Sequence, residues 1–395
     1  MKALAETGRE LRNRLVSGIL RPWFPACVAT QGFHQDFDRA WRSLPGRAPT
    51  VVFQARMTWL AASLAEEPDL ADQFRPLALH GHQFLRDHFV APSSGAMRWS
   101  TSDDVERHAY GQAFAIYALA AVARSLAMEE ALELAKSAFS YVERCHWDRE
   151  HGGYFEVTDA AGSPRLEGRG KDAIGTPYGL KSQNTHLHLL EAYAELARVL
   201  PDDLVLERLQ FLVELFLGAL YVEPGWLHVY AERDWRPVPG DVSHGHDVEA
   251  AHLVLDASRV LGRRDADVEP FVRSVLNYAL ATGWHEAGGF YYTGRPGGGV
   301  VDDTKVWWAQ AEGLLGLATG YRLTGEARYG EAMLDQWRWI RDHQIDDVHG
   351  GWHEAVAPDG SVIGHDHKGH AWKAAYHDGR ALLFTSRLLQ SEVSE

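Results

Sequence analysis

Gly288-Gly-Phe-Tyr-Tyr292 and, a turn-rich segment later, Trp308-Ala-Gln-Ala-Glu-Gly-Leu-Leu-Gly-Leu317 are the two halves of one structural unit. The first half, paired glycines before aromatic residues, has the alternation and turn chemistry of a short hairpin. The second repeats its apolar residues at helical spacing and is rich in Ala and Leu, strong helix formers. Other Gly-aromatic pieces recur along the chain at Gly32-Phe33, Gly95-Ala-Met-Arg-Trp99, Gly152-Gly-Tyr-Phe155, Gly225-Trp226 and Gly350-Gly-Trp352. Their spacing, about 58 to 72 residues, is that of a repeat architecture. Helical runs lie between them, among them Tyr110–Ala120, Thr185–Tyr193 and Val248–Leu255.

Six units of helix, turn, helix and short hairpin fill the 395 residues with no linker and no low-complexity segment. An open solenoid would need polar caps at both ends. The last helix, Ala381-Leu-Leu-Phe-Thr-Ser-Arg-Leu-Leu389, stays apolar almost to the terminus. The expectation is therefore an all-α, single-domain (α/α)6 barrel over residues 1–395, six helical hairpins with β-hairpins in the loops at the mouth.

Composition narrows the function classes. A net charge of −15 argues against nucleic acid or an anionic membrane as partner. No apolar run approaches the length of a membrane span. The charged opening, Met1-Lys-Ala-Leu-Ala-Glu-Thr-Gly-Arg-Glu-Leu-Arg12, reads as an amphipathic first helix rather than a signal peptide. Only Cys27 and Cys145 occur, too few for a disulfide framework, which fits a cytoplasmic location.

Polar residues gather near the starts of the apolar helices. Arg56 and Trp59 are three apart, Asn184 and His188 four apart, and His246 and Glu249 three apart. Trp308 and Glu312 are four apart, and Lys373, His377 and Arg380 follow one another at helical spacing. Side chains at such spacings share a helix face. In a closed ring these faces point at a common axis and form one polar, aromatic-lined pocket. His246 and His377 are the candidate acid/base pair, since imidazole titrates nearest neutrality. Glu249, three residues after His246, is the expected carboxylate partner of that ring. Either Trp307 or Trp308 suits stacking against a sugar's C–H face, and Arg56 suits orienting the substrate. His186 points elsewhere and reads as structural, and His365-Asp-His-Lys-Gly-His370 reads as a polar loop. No His-Glu-x-x-His pair, zinc spacing, phosphate loop or nucleophile elbow occurs. No metal and no cofactor is therefore expected.

Arg56, Asn184-Thr-His-Leu-His188, Gly245-His-Asp-Val-Glu249, Lys305-Val-Trp-Trp-Ala-Gln-Ala-Glu312 and Trp372-Lys-Ala-Ala-Tyr-His-Asp-Gly-Arg380 together resemble the N-acylglucosamine 2-epimerase superfamily. The resemblance implies an (α/α)6 barrel, with His246 and His377 as the acid/base pair. It also implies a sugar pocket lined by Arg56, Asn184, His188, Glu249, Trp307, Trp308, Glu312, Lys373 and Arg380. Tyr376-His-Asp378 departs from the Tyr-His-Asn of disaccharide epimerases, and the overall likeness leans to the mannose-isomerase branch. The activity so implied is interconversion of mannose and fructose through a cis-enediolate, with related sugars such as lyxose as further substrates. The alternative is a 2-epimerase on mannose, glucose or cellobiose. A third reading is a glycoside hydrolase recruiting two of Asp247, Glu249, Glu312 and Asp378. A pocket that binds mannose without turnover is the non-catalytic reading. A monosaccharide is the expected partner, and the protein a monomer or homodimer.

Overall fold

The computed structural model describes residues 2–102, 105–168 and 170–390. The chain opens with α1 (Lys2–Arg14), which runs through a π-helical stretch, Leu15–Leu20, into α2 (Arg21–Cys27). Five helix pairs follow. They are α3 (Val51–Leu64) with α4 (Ala71–His88), α5 (Ala109–Leu126) with α6 (Glu129–Cys145), and α7 (Gln183–Val199) with α8 (Asp203–Leu217). Then come α9 (His244–Val260) with α10 (Asp265–Thr282), and α11 (Trp307–Thr324) with α12 (Ala327–Trp339). The last helix is α13 (His377–Gln390).

Burial sorts these helices into two rings. Every residue of α3 and the first fifteen of α5 are buried. A helix apolar all round needs cover on every side, and the odd-numbered helices from α3 to α13 take the inner positions. The outer helices are amphipathic. Helix α6 buries Ala131, Ala135, Ala138, Phe139 and Val142 and turns Glu129, Glu130 and Glu133 to solvent.

The sixth hairpin is built from the two ends of the chain. Inner α13 packs on outer α1, where Gly8 lies against Leu389. On its other side α13 meets α3: Gly379 sits so close to Leu60 that an added methyl would come within 2.9 Å of that side chain. Trp59 also meets Tyr376 edge-on at 5.3 Å. This closure is the (α/α)6 barrel expected from the repeat.

Each outer helix is followed by a tight hairpin that contains one of the Gly-aromatic pieces. Five of these are single bridges, Val28 to Phe33, Val90 to Met97, Trp147 to Tyr154, Trp284 to Phe290 and Ile345 to Trp352. The other pairs Tyr221–Val222 with Trp226–Leu227. The paired glycines take left-handed backbone, φ 68° at Gly152 and 75° at Gly153, which a Cβ would strain.

The fourth residue of nearly every inner helix clamps such a hairpin. Gln54 bonds the N–H and C=O of Phe33, Gln112 those of Met97, and Gln310 those of Phe290. His186 accepts from the N–H of Tyr154, and Asp247 from the N–H of Leu227. His186 is thus structural, as its spacing predicted.

Short strands before the inner helices pair antiparallel with these loops. Glu106–His108 pairs with Val157–Asp159, Lys181–Ser182 with Tyr230–Ala231, Val242–Ser243 with Thr293–Gly294, and Lys305–Val306 with Ala355–Val356. All the inner N-termini therefore open onto one face, the mouth.

Candidate active site

Two residues beyond the clamp, the sixth position of successive inner helices is Arg56, Phe114, His188, Glu249 and Glu312. This register aims a ring of side chains at the barrel axis. A cavity of about 350 Å³ lies there, in the range of small-molecule sites. Arg56, Asn184, His188, His246, Glu249, Trp307, Trp308 and His377 all line it, joined by Tyr110, Ile174, Tyr292, Glu354, His370 and Trp372.

His246 and His377 both lie against one indole. Ring centroids lie 4.7 Å apart for His246 and Trp308, and 5.9 Å for Trp308 and His377. Gly245 makes room for that indole, since a methyl there would fall 2.6 Å from the Trp308 ring.

The partners of the imidazoles differ from the sequence expectation. Nδ1 of His246 meets Ser243 Oγ at 2.8 Å, not Glu249. The carboxylate pairs are instead His188 Nδ1 with Glu191 at 3.0 Å and His377 Nδ1 with Glu312 at 2.6 Å. Glu249 turns away because the Arg380 guanidinium bonds it at 2.6 Å. In each case Nε2 is left as the nitrogen available to the cavity. Burial pushes both His246 and His377 down to about 3, with Glu312 opposing the shift at His377. Desolvation penalises the imidazolium, so both rings are free bases at neutral pH.

Arg56 spans the cavity wall. Its guanidinium stacks on Phe114 at 4.5 Å and donates to the Trp372 carbonyl at 2.7 Å and to the Tyr110 hydroxyl at 3.0 Å. Its Nε and the Asn184 Oδ1 are buried without a protein partner. Buried polar atoms are normally paired, so both are suited to a ligand's hydroxyls.

Glu312 and Arg380 lie beneath the cavity rather than on its wall. Arg380 bridges Glu191, Glu249 and Glu312 and contacts the Tyr376 hydroxyl. Burial raises all three carboxyls, yet Arg380 outweighs it at Glu191, which is held at about 2, and at Glu312, held well below its usual range. Burial and the neighbouring Glu312 charge push Glu249 up to about 7. Glu249, Glu312 and His377 converge closely enough for a metal, but the guanidinium already supplies the cation between the two carboxylates.

Two further sequence candidates stand off the cavity. Lys373 donates to the carbonyls of Trp352 and His367, both at 2.8 Å, and underpins Trp307 with its ammonium 5.7 Å from the ring. Trp59 lies deeper, stacked on Tyr117. Of the four carboxylates considered for hydrolysis, only Glu249 reaches the cavity, so they form no opposed pair. The sequence reading also missed residues. Glu191 sits three positions after His188, the very spacing applied to His246 and Glu249, and could have been found. Tyr110, Tyr292, Glu354 and His370 carry no such signal. Tyr110 is the second residue of α5, and the loops of the other three reach the mouth only through the fold, where His370 bonds Glu354 at 3.0 Å.

Residues 32–381 match the family model described as N-acylglucosamine 2-epimerase (GlcNAc 2-epimerase). The chain belongs to that family. A curated cellobiose 2-epimerase of Bacteroides fragilis is 30% identical over 95% of this epimerase-family chain and 97% of its own. A D-mannose isomerase of Marinomonas mediterranea is 24% identical over 90% and 91%. The solved cellobiose 2-epimerase of Spirochaeta thermophila superposes with a TM-score of 0.90 at 30% identity, covering 100% of this chain and 99% of that one. The protein is thus a sugar epimerase/isomerase by family. The mannose-isomerase leaning of the sequence reading is the weaker of the two branches, because the epimerases are the more similar relatives. Among the described residues no helix is long and apolar enough to cross a membrane.

Proposed function

We propose that this protein is a cofactor-independent sugar 2-epimerase, inverting C2 at the reducing end of a cellobiose-like disaccharide. The observation that carries the reading is the pair of neutral imidazoles, His246 and His377, both beside Trp308 in the lining of one cavity.

The chemistry follows from their free nitrogens. His246 passes the O1 proton to O5, opening the sugar ring. His377 removes the C2 proton and leaves a cis-enediolate, whose negative charge faces Arg56 and the converging helix N-termini. The His377 imidazolium returns its proton to O1, giving the neutral enediol. His246 then takes a proton from O1 and delivers it to the opposite face of C2, regenerating the aldehyde as the epimer. Both imidazoles end as they began. Trp308 provides a flat face for the sugar, and each acid/base group is worth about 10²–10⁴-fold.

Aldose–ketose isomerisation of mannose to fructose is the second reading, favoured by Asp378 within Tyr376-His-Asp378. There His377 would return the C2 proton to C1, while His246 moves the O2 proton to O1, so that no donor on the second face of C2 is needed. NMR of cellobiose and of mannose in D₂O with the full-length protein separates the two. Formation of the C2 epimer of cellobiose supports epimerisation, and formation of fructose from mannose supports isomerisation. Conversion of neither sugar would sink both. His246→Ala and His377→Ala should each abolish turnover with the fold intact, and near-wild-type rates in both would defeat the assignment.

A further inference from the structure

We propose that His252 is a positioning residue for His377, holding the Glu312 carboxylate in place from the far side of the barrel. Glu312 is fully buried, and both its oxygens are engaged. Oε1 takes His377 Nδ1 at 2.6 Å and Arg380 at 2.7 Å, and Oε2 takes His252 Nε2 at 2.8 Å. An ionised carboxylate only accepts, so both imidazoles must donate to it. His252 is thereby an Nε2–H tautomer and His377 an Nδ1–H tautomer, which leaves the His377 Nε2 lone pair for the sugar.

His252 lies six residues beyond His246 on α9 and does not line the sugar cavity. It lines a second cavity, of about 370 Å³, at the opposite end of the barrel, with Trp59, Leu253, Leu315 and Thr319 among its neighbours. Arg124, Arg198, Arg259, Arg322 and Arg387, in the last turns of five inner helices, line that end too. Cations there offset the negative helix C-termini. Without the His252 donor, Oε2 would be a buried anionic oxygen with no partner. The carboxylate would be free to rotate, and with it the Nδ1–H bond that fixes His377.

The inference rests on His377 being the proton-transferring base, and its test keeps the two claims apart. In the ¹⁵N-histidine-labelled full-length protein, His252 should carry its proton on Nε2. His377 should show a deshielded Nδ1–H, assigned by its loss in His377→Asn. In His252→Leu that resonance should move upfield, and kcat for epimerisation should fall roughly ten- to hundredfold, as for losing a hydrogen bond to a buried charge, with KM little changed. His252→Gln, which keeps a donor, should recover most of both. A His252 protonated only on Nδ1 overturns the proposal, as does a folded His252→Leu protein with unchanged kcat and unchanged resonance. Should His252→Leu fail to fold, the wild-type tautomer and the Gln variant still decide. A wild type without turnover would sink the proposed function, while the resonances would continue to report on His252.

Discussion

Ser243 Oγ lies 2.8 Å from Nδ1 of His246, across the first turn of α9. Ser243 is the residue just before the helix, in extended backbone (φ −101°, ψ 93°), and its side chain is spent on the imidazole rather than on a helix N–H. This bond selects which ring nitrogen faces Trp308 and the cavity. Ser243→Ala is expected to lower kcat by roughly tenfold, the value of one such bond, with KM within about twofold. Ser243→Thr, which keeps the hydroxyl, should stay near wild type. Steady-state kinetics on the substrate identified in D₂O checks both.

The pH profile is expected to be unusual for a histidine enzyme. Burial holds the free-enzyme pKa of His246 and His377 at about 3, so falling pH does not protonate either near 6.5. On the acid side, the histidine limb of kcat/KM should therefore lie well below pH 6. A limb near 6.5 that disappears in His377→Asn would show that the cavity does not exclude charge as argued.

Arg380→Met leaves Glu191, Glu249 and Glu312 without their shared cation. Breaking a buried ion cluster on one side typically costs about 3–5 kcal/mol. The loss should itself depend on pH. Glu191 has its folded pKa depressed to about 2, so its stabilisation is full above the ordinary carboxylate range and vanishes as pH falls through about 2. Denaturant unfolding of wild type and variant should thus differ most near neutrality and converge in acid.

Gly245→Ala tests the close approach of α9 to α11. The added methyl would fall 2.6 Å from the Trp308 ring and 2.8 Å from Ala309 Cβ, so the indole must shift. The expected result is loss of kcat/KM by at least about tenfold, since sub-ångström misplacement already weakens a preorganised site. Tryptophan fluorescence on sugar binding should change in parallel. Unaltered kinetics and fluorescence would mean that Trp308 is no platform.

Gln310→Ala removes both bonds that tie Phe290 to the inner ring. Two buried backbone groups would be stranded, at about 1–3 kcal/mol each. Thermal unfolding should report a lower midpoint, whereas kcat of the folded fraction should change little.

Periodicity was enough for the architecture. Gly-aromatic hairpins and Ala/Leu helices recur because every unit must bury the same two surfaces, one helix all round and one on a single face. That demand is local, so it is written into each repeat, and a run such as Tyr110–Ala120 announces an inner helix without any neighbour. The placement of His188, His246 and His377 near inner-helix starts was legible for the same reason.

What the repeat could not disclose is who pairs with whom. His246 and Glu249 have the right spacing, yet Arg380, 131 residues farther along the chain, captures the glutamate and leaves the imidazole to a serine. Lys373 sits beside His377 in sequence but spends its charge on two loop carbonyls. His252 meets Glu312 only because α9 and α11 pack side by side. Helical period sets which face a residue occupies, and it acts over a few residues. The competition among buried charges for one guanidinium is settled across the barrel, where low dielectric makes each pairing strong and only closure brings the partners within reach.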